Sequence, residues 1–299
     1  MPRLALLSLQ RSTGRDEGGF VLIPVVMAIA LLSLVALIIG QGTRDDVRVA
    51  GVNQRRAEMT ALADGMATLA IRRLSMSKGA IKDERPVKTD GSPLVCSIAG
   101  HAATITIQDA AGMVDLNKGS LDTLERLFAG VGVDREQAGH LAAAIVDFRD
   151  GDDEALPGGA EAAEYASAGL THRPKNAPFA NVDELDQVLG MTPELMAVVR
   201  PLVTVHSQNS NVDLEAASEA VRALGLPASL GAKLKGNSFV IRAAVERPGT
   251  ARVIREAVAG VSSRLGSGAI IKQWTSVDPG PGLGLAAPGN LPSCLDVLL

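Results

Sequence analysis

The sequence predicts an α+β protein in which a long N-terminal helix precedes a small antiparallel sheet, with a mostly helical domain inserted into that sheet. Phe20 to Ile39 is an apolar run without a charged side chain, and apolar residues continue at helical spacing to about Ser75. Short β-prone segments lie on both sides of a central stretch, 109–201, that has helical periodicity. Hydrophobic residues make up 46% of the chain but aromatic residues only 2%, which favours helices packed closely through small side chains.

The apolar run at 20–39 is long enough to cross a membrane. A helix rises about 1.5 Å per residue, so twenty residues cover the roughly 30 Å of a hydrocarbon core. A cleaved secretory signal has a shorter apolar region, about 7–15 residues, followed by a small-x-small cleavage site. The run here is longer and ends in Ile38-Ile39-Gly40-Gln41. We therefore expect a transmembrane segment at 20–39 and an outward continuation of the same helix over 40–76.

The predicted sheet comes from two regions, 77–108 and 202–278. After a polar connection, two β-prone runs at 94–98 and 103–107 flank Ala99-Gly100-His101, which is typical of a hairpin. Further β-prone runs are 202–206, 239–245, 252–258 and 269–274. The Gly/Pro-rich tail, 279–299, is predicted to be irregular.

The inserted domain, 109–201, is predicted to be helical because its apolar residues recur at helical intervals. Helices are expected at 120–130 and at 134–148, where Asp134 is a suitable N-cap. Thr192 and Pro193 have the N-cap and first-turn character of a helix over 192–199. The remaining predicted helices are 182–189 in the insert and 214–224 beyond it.

The order Gly19-Phe20-Val21-Leu22-Ile23 resembles the class III leader of type IV pilins and type II secretion pseudopilins. The resemblance implies that a prepilin peptidase removes residues 1–19 by cutting between Gly19 and Phe20, and that Phe20 becomes an N-methylated mature terminus. Pro24 departs from the family, which has glutamate at the fifth mature position. That glutamate is thought to pair with a neighbour's terminal amine, so a subunit without it cannot make the pairing. The alternative is a plain single-pass anchor with a chance Gly-Phe pair.

The acidic segment 146–165 is the strongest chemical feature of the insert. Its carboxylates crowd into a turn that contains three glycines, and such a cluster repels itself unless it is solvated or binds a hard cation. Calcium suits it, because Ca²⁺ takes about 6–8 oxygen ligands in adjustable geometry. The spacing of an EF-hand loop is missing. A solvated acidic loop and a calcium site are both open interpretations of these residues alone.

Several motifs together resemble the large helical insert of the type II secretion K subunit, a minor pseudopilin. They are Gly112 to Asn117, Val146 to Asp152, Gly159-Ala160-Glu161, Tyr165, Arg173, Asn176, Phe179, Val182 to Leu185 leading to Gly190-Met191-Thr192, and Asn211 to Leu224. Phe148 stands where the family commonly has tryptophan, and Glu215 where asparagine is usual. The resemblance implies a calcium-binding insert, with Asp147, Asp150, Asp152 and Glu161 as candidate ligands.

The same resemblance implies a non-enzymatic assembly protein of the bacterial inner membrane whose globular region lies in the periplasm. Its expected partners are the I and J minor pseudopilins at the pseudopilus tip, other pseudopilins and the prepilin peptidase. The chain has neither a G-x-S-x-G nor a Walker sequence. His101, His140, His172 and His206 have no spacing that suggests a metal pair. We therefore expect no catalytic site.

The main alternative is a membrane-tethered helix-hairpin-helix protein that binds DNA during uptake. Similar local units at 115–132 and 213–226 permit it, because such hairpins offer backbone amides to phosphates. Residues 109–205 carry 17 acidic and 7 basic residues, a balance of −10, which disfavours phosphate binding. No nucleic acid is therefore expected. An enzyme is a third reading and depends on the acidic cluster alone.

Cys96 and Cys294 are the two cysteines of the chain. In an oxidising compartment they would be able to join the early strand region to the C-terminal tail. The alternative is that they are two independent small apolar residues.

Overall fold

The computed structural model describes residues 22–77, 87–227, 237–247, 252–261, 268–277 and 291–298, excepting the side chains of 39–46. These residues have the predicted α+β fold. In chain order the elements are α1 (Leu22–Ser77), β1 (Leu94–Ile98), β2 (His101–Asp109), β3 (Val114–Asp115), α2 (Leu121–Gly130), α3 (Arg135–Arg149), α4 (Ala162–Ser167), α5 (Pro193–Val199), β4 (Val203–Thr204), α6 (Glu219–Arg222), β5 (Ser238–Glu246), β6 (Val253–Val261), β7 (Ala269–Val277) and α7 (Cys294–Leu298). Short 3₁₀ helices occur at Ala110–Gly112, Val182–Gln187 and Arg200–Leu202.

The chain divides into two compact units, Met1–Ala57 and Glu58–Leu299. In the first unit, α1 begins at Leu22, and its side chains are exposed as far as Ile38. Pro24 lies in the first turn, where a backbone amide has no partner within the helix, so the helix tolerates it. The leader 1–19, the cleavage pair Gly19-Phe20 and the start of the predicted span 20–39 lie outside the described residues. Within the described part of the chain, no helix combines the length and apolar character needed to cross a membrane.

The second unit is built on a five-stranded antiparallel sheet in the order β1-β2-β5-β6-β7. The predicted hairpin joins β1 to β2, and its turn residues Ala99 and Gly100 have φ angles of 47° and 77°. Two consecutive left-handed residues match the twist of paired strands, so a two-residue turn closes the hairpin. β5 follows the insert and pairs with β2, so the insert interrupts the sheet without separating its strands.

The last part of α1 packs on one face of this sheet. Its buried residues are three or four positions apart and therefore share one helix face; they are Met59, Ala63, Met66, Ala67, Ala70, Ile71 and Leu74. They share a core with alternate residues of the strands, among them Ile105, Ile107 and Ile241. The alanines of the helix let its backbone approach the sheet closely, which agrees with the low aromatic content of the chain.

The insert has a hydrophobic core of its own. Helices α2 and α3 begin at the side-chain caps Ser120 and Asp134, as expected for α3. The largest side chains in this core are Phe128, Phe148 and Tyr165, all fully buried. The parallel pair β3–β4, with Val114 opposite Val203, joins the two ends of the insert.

The insert ends later than the predicted boundary at 201. Its core includes Val205, Val212, Val221 and Leu224, so 202–226 packs with the insert and not with the sheet. The predicted strand 202–206 shortens to β4, which pairs with β3. The predicted helix 214–224 shortens to α6, and 182–189 contains a 3₁₀ helix in place of an α-helix. A short apolar run has the same composition in either setting, so only its packing partner distinguishes these cases.

The C-terminal segment is joined to the edge strand β1. Cys96 and Cys294 form a disulfide whose Cα atoms are 4.9 Å apart, and both residues are fully buried. Beside it, the amide of Ser97 donates a hydrogen bond to the carbonyl of Pro292 at 2.8 Å. Residues 279–290 of the predicted irregular tail lie outside the described residues, whereas α7 near its end is helical.

Candidate cation site in the helical insert

Asp147 organises the acidic turn that follows α3. Its side chain is fully buried and accepts backbone hydrogen bonds from the turn. The amide of Leu156 donates to both carboxylate oxygens at 3.2 Å, and the amide of Ala160 donates to Oδ2 at 2.7 Å. Gly159 lies against the same carboxylate, because a Cβ there would be 1.9 Å from Oδ2. Asp147 therefore fixes the path of the turn with both of its oxygens.

Four other oxygens of this region are buried without a hydrogen-bond partner among the described residues. They are both carboxylate oxygens of Glu161, Oδ1 of Asp150 and Oδ1 of Asn176. Glu161 is only 3% exposed. A buried acceptor without a donor costs free energy, and the cost is greater when it is ionised. A positively charged partner at these oxygens would lower this cost, and the sequence pattern alone did not show which oxygens they are.

The electrostatics of the turn agree with this interpretation. Burial, together with the charges of Asp147 and Asp150, raises the pKa of Glu161 to about 7. Burial also raises the pKa of Asp150, with Asp152 and Asp147 adding to the effect. The pKa of Asp147 is raised by burial as well, although the amides of Leu156 and Ala160 oppose the shift. The folded turn therefore concentrates negative charge that is poorly solvated.

The predicted ligand Asp152 lies at the exposed edge of the turn. Its Oδ1 accepts a hydrogen bond from the amide of Glu154 at 3.0 Å. Asn176 reaches the same edge from a later loop, and its Nδ2 donates to the carbonyl of Asp152 at 2.6 Å and to Oδ1 of Asp153 at 2.9 Å. Asn176 has a φ of 49°, a conformation that asparagine tolerates better than most residues. This leaves Oδ1 of Asn176 as a further oxygen able to bind a cation.

The loop that carries Asn176 is held by paired contacts with the start of the insert. Nδ2 of Asn117 donates to the carbonyl of Phe179 at 2.9 Å, and the amide of Phe179 donates to Oδ1 of Asn117 at 2.7 Å. The ring of Phe179 stacks on Phe148 at a centroid distance of 4.8 Å. Phe148 thus occupies a core position, where either phenylalanine or the tryptophan common in the family would fill the core with an aromatic ring.

Arg149 and Asp115 tie the end of α3 to the same region. Arg149 donates to the carbonyls of Leu116 and Gly119. Asp115 is buried and accepts hydrogen bonds from four donors of the insert, the backbone amides of Asn117, Lys118 and Gln208 and the hydroxyl of Ser207. Asp115 therefore joins the start of the insert to the segment at Ser207 and Gln208.

The oxygen atoms of this region fit a hard cation, because carboxylate and amide oxygens are the ligands that Ca²⁺ prefers. The geometry is less complete. Within the described ranges, no three His, Cys, Asp or Glu side chains form a group that could hold a metal ion. Three of the four histidines have separate contacts. His140 bonds to the carbonyl of Gly158 at 2.8 Å, His172 to the carbonyl of Gln187 at 3.2 Å and His206 to Gln273 at 3.3 Å.

The turn between α2 and α3 bears on the DNA-binding alternative. The amides of Val131, Gly132 and Val133 all donate to carbonyls of α2, at 3.1 to 3.2 Å. A helix-hairpin-helix module would offer such amides to phosphate. Here these amides are already paired within the protein, and the carboxylate of Asp134 follows them directly. Both features disfavour phosphate binding at this turn.

Comparison with known proteins finds a family that this insert resembles. Residues 105–208 match the family model of the type II secretion system (T2SS) protein K. We call this matched segment the K domain. The K domain begins within β2 and includes α2 to α5 and the acidic turn, so the candidate site is part of it. No curated protein sequence matches the chain.

The fold resembles a solved structure as well. A chain in the crystal structure of the GspK-GspI-GspJ complex from the enterotoxigenic Escherichia coli type 2 secretion system matches with a TM-score of 0.54. The match covers 77% of this chain and 99% of that chain, at 17% sequence identity. At this identity the likeness shows a shared fold, and its 77% coverage is a larger part of the chain than residues 105–208.

Proposed function

We propose that the protein is a minor pseudopilin of the type II secretion system. The K domain, inserted into a sheet that packs on a long N-terminal helix, carries this proposal. Residues 20–39 anchor the protein as a single pass in the bacterial inner membrane, and the globular part lies in the periplasm. The protein acts by assembly with other subunits and not as an enzyme.

Its proposed position is the tip of the pseudopilus, with the I and J minor pseudopilins as neighbours. There it supports the start of assembly and protein export across the outer membrane. Two features favour a terminal position. Pro24 replaces the carboxylate that would pair with a neighbouring subunit, and the insert is large enough to obstruct another subunit above it.

Co-purification tests the proposed partners. A fragment that begins at Gly51 retains the whole buried face of α1, from Met59 to Leu74, and should form a stable complex with the I and J subunits of the same organism. A sample of the I and J subunits alone shows what they form by themselves. Failure of the fragment to join either subunit, with calcium present, would contradict the tip assignment.

Maturation tests the leader. When the full chain is expressed with its prepilin peptidase, N-terminal sequencing should show a mature protein that starts at N-methylated Phe20. Gly19→Ala or a bulkier residue should block the cut, because the peptidase must accommodate the residue before it. Gly18→Leu is a matched control one position earlier. Unchanged processing of a bulky Gly19 variant would identify 20–39 as a plain anchor.

We further propose that the acidic turn binds calcium. Glu161 and Asp150 would supply carboxylate oxygens, Asn176 an amide oxygen and Asp152 a ligand from the exposed edge. Asp147 holds the turn in place, because both of its oxygens accept backbone amides. A bound cation would neutralise the buried charge of Glu161 and join the end of α3, the turn and the loop at Asn176.

Thermal unfolding tests the calcium site. A ligand that binds only the folded state adds RT ln(1 + [L]/Kd), which is about 2.7 kcal/mol at a hundredfold excess over Kd. Glu161→Gln and Asp150→Asn should lose most of this gain, whereas Asp122→Asn, on the exposed face of α2, should keep it. Magnesium at equal ionic strength should stabilise less, because it requires nearly octahedral geometry. Equal effects of both ions would indicate a solvated acidic loop whose charge is screened.

A further inference from the structure

The insert and the sheet have separate hydrophobic cores with little apolar contact between them. The core of the insert includes Phe128 and Phe148, whereas the core between α1 and the sheet includes Met66 and Phe239. Met113, Val240 and Val258 form a third, small cluster where the two parts meet. Apolar packing is not directional, and domains that share a small interface move relative to one another by default. Directional contacts must therefore set the orientation of the insert.

Glu256 provides the strongest directional contact at this junction. It lies on β6, is 6% exposed, and meets Arg200 from the end of the insert. Nη1 of Arg200 is 3.0 Å from Oε2 and Nη2 is 3.2 Å from Oε1, so the guanidinium and the carboxylate face each other through two hydrogen bonds. Paired bonds of this kind fix relative orientation as well as distance.

A further contact holds each member of the Arg200–Glu256 pair within its own part of the protein. Arg242 on β5 donates to Oε2 of Glu256, and Asp183 of the insert accepts from Nε of Arg200 at 2.8 Å. Burial opposes ionisation of Glu256, but the charges of Arg242 and Arg200 outweigh it, so the pKa of Glu256 lies below its ordinary value. The carboxylate is therefore charged at neutral pH and has few alternative orientations.

The other polar contacts of this junction are weaker. His206 meets Gln273 at 3.3 Å, and Nε2 of Gln108 donates to the carbonyl of Ala216 at 2.7 Å. Each is a single contact, and the amide of Gln108 is uncharged. Among the described residues, the ion pairs between the insert and the sheet converge on Glu256.

We propose that the Arg200–Glu256 pair is an orientation lock that holds the insert at one angle on the sheet. Each part folds around its own core. The lock therefore determines the angle between the insert and the sheet, and not whether the two parts fold. The direction in which the insert exposes its surface is fixed only while the Arg200–Glu256 pair is intact.

The test measures orientation and folding separately in the full chain. Spin labels are placed at Glu136 on α3 and Thr68 on α1, both exposed, with an unnatural amino acid because both cysteines are in the disulfide. Arg200→Met removes the insert's side of the lock and leaves Glu256 paired with Arg242, so the buried carboxylate keeps a partner. Asp183 loses its bond to Arg200, but its side chain is exposed to solvent. Glu256→Gln removes the charge from the sheet's side. Arg126→Met, which breaks an exposed pair with Asp122 within α2, is the control.

We expect one narrow distance distribution in the wild type and in Arg126→Met. Arg200→Met and Glu256→Gln should lose the single narrow distance, while hydrogen exchange in α3 and β5 stays as slow as in the wild type. A distribution that stays narrow in both lock variants would overturn the proposal, because other contacts would then fix the angle. Faster exchange throughout both cores in both variants would also overturn it, because the pair would then support folding and not orientation.

Discussion

Replacing Asp147 distinguishes a residue that holds the acidic turn from a calcium ligand. Both roles are compatible with a buried aspartate in an acidic segment, but they predict opposite results in the absence of calcium. A ligand whose charge repels Glu161 and Asp150 should leave the protein equally stable or more stable when it is neutralised. A residue that pairs the amides of Leu156 and Ala160 should leave it less stable.

The contacts set the expected magnitude. In Asp147→Asn the remaining oxygen can take the position of Oδ2 and keep both backbone amides, but the new NH2 group then takes the position of Oδ1, 3.2 Å from the amide of Leu156. The substitution therefore buries a donor that faces another donor. A buried polar group without a partner costs about 1–3 kcal/mol. Relief of repulsion from Glu161 and Asp150 offsets part of this cost, so we expect a net loss of about 1 kcal/mol. For a unit of this size that corresponds to a fall in Tm of about 2–4 °C. Asp147→Ala removes both acceptors and should cost more.

Thermal unfolding with a chelator, and then with saturating calcium, measures both roles. Asp147→Asn should melt earlier than the wild type without calcium and should still be stabilised when calcium is added. Asp122→Asn is the control, because its carboxylate is exposed on α2 and lies outside the acidic turn. If Asp147→Asn is as stable as the wild type with chelator and no longer responds to calcium, Asp147 is a ligand and the interpretation of its hydrogen bonds is wrong.

Three further predictions concern other parts of the fold. Gly159→Ala should lower the free energy of unfolding by about 1–3 kcal/mol, because its Cβ would meet the carboxylate of Asp147 at 1.9 Å. The control Gly139→Ala, in α3, has nothing within 4 Å of its Cβ and should be neutral or stabilise by about 0.5–1 kcal/mol. Denaturant unfolding measures both variants. Reduction of the disulfide should lower the free energy of unfolding by about 2–5 kcal/mol, and equal denaturant midpoints with and without reductant would contradict this. The stability that Glu256 contributes is present above its ordinary pKa of 4.5 and is lost as pH falls through its lower folded value; midpoints measured against pH should show this acid-side loss in the wild type and not in Glu256→Gln.

Local signals in the sequence were sufficient for several elements. Asp134 and Thr192 are side-chain caps where predicted, because a cap depends on residues within one turn. Ala99 and Gly100 form the expected hairpin turn for the same reason. The predicted strand 202–206 and helix 214–224 were largely wrong, because each is short and packs with the insert, and a short apolar run does not specify its partner.

The sequence by itself determined the α+β class, the helical character of the insert and the segment that carries its acidic charge, since these depend on periodicity and composition. Only the tertiary structure decided which carboxylates are paired. It turned Asp147 inward onto two amides, left Glu161 and Asp150 with oxygens that have no partner, and brought Arg200 to Glu256 across 56 positions of the chain. The physical reason is that the cost of a buried charge depends on the donors that surround it, and folding brings those donors from distant parts of the chain.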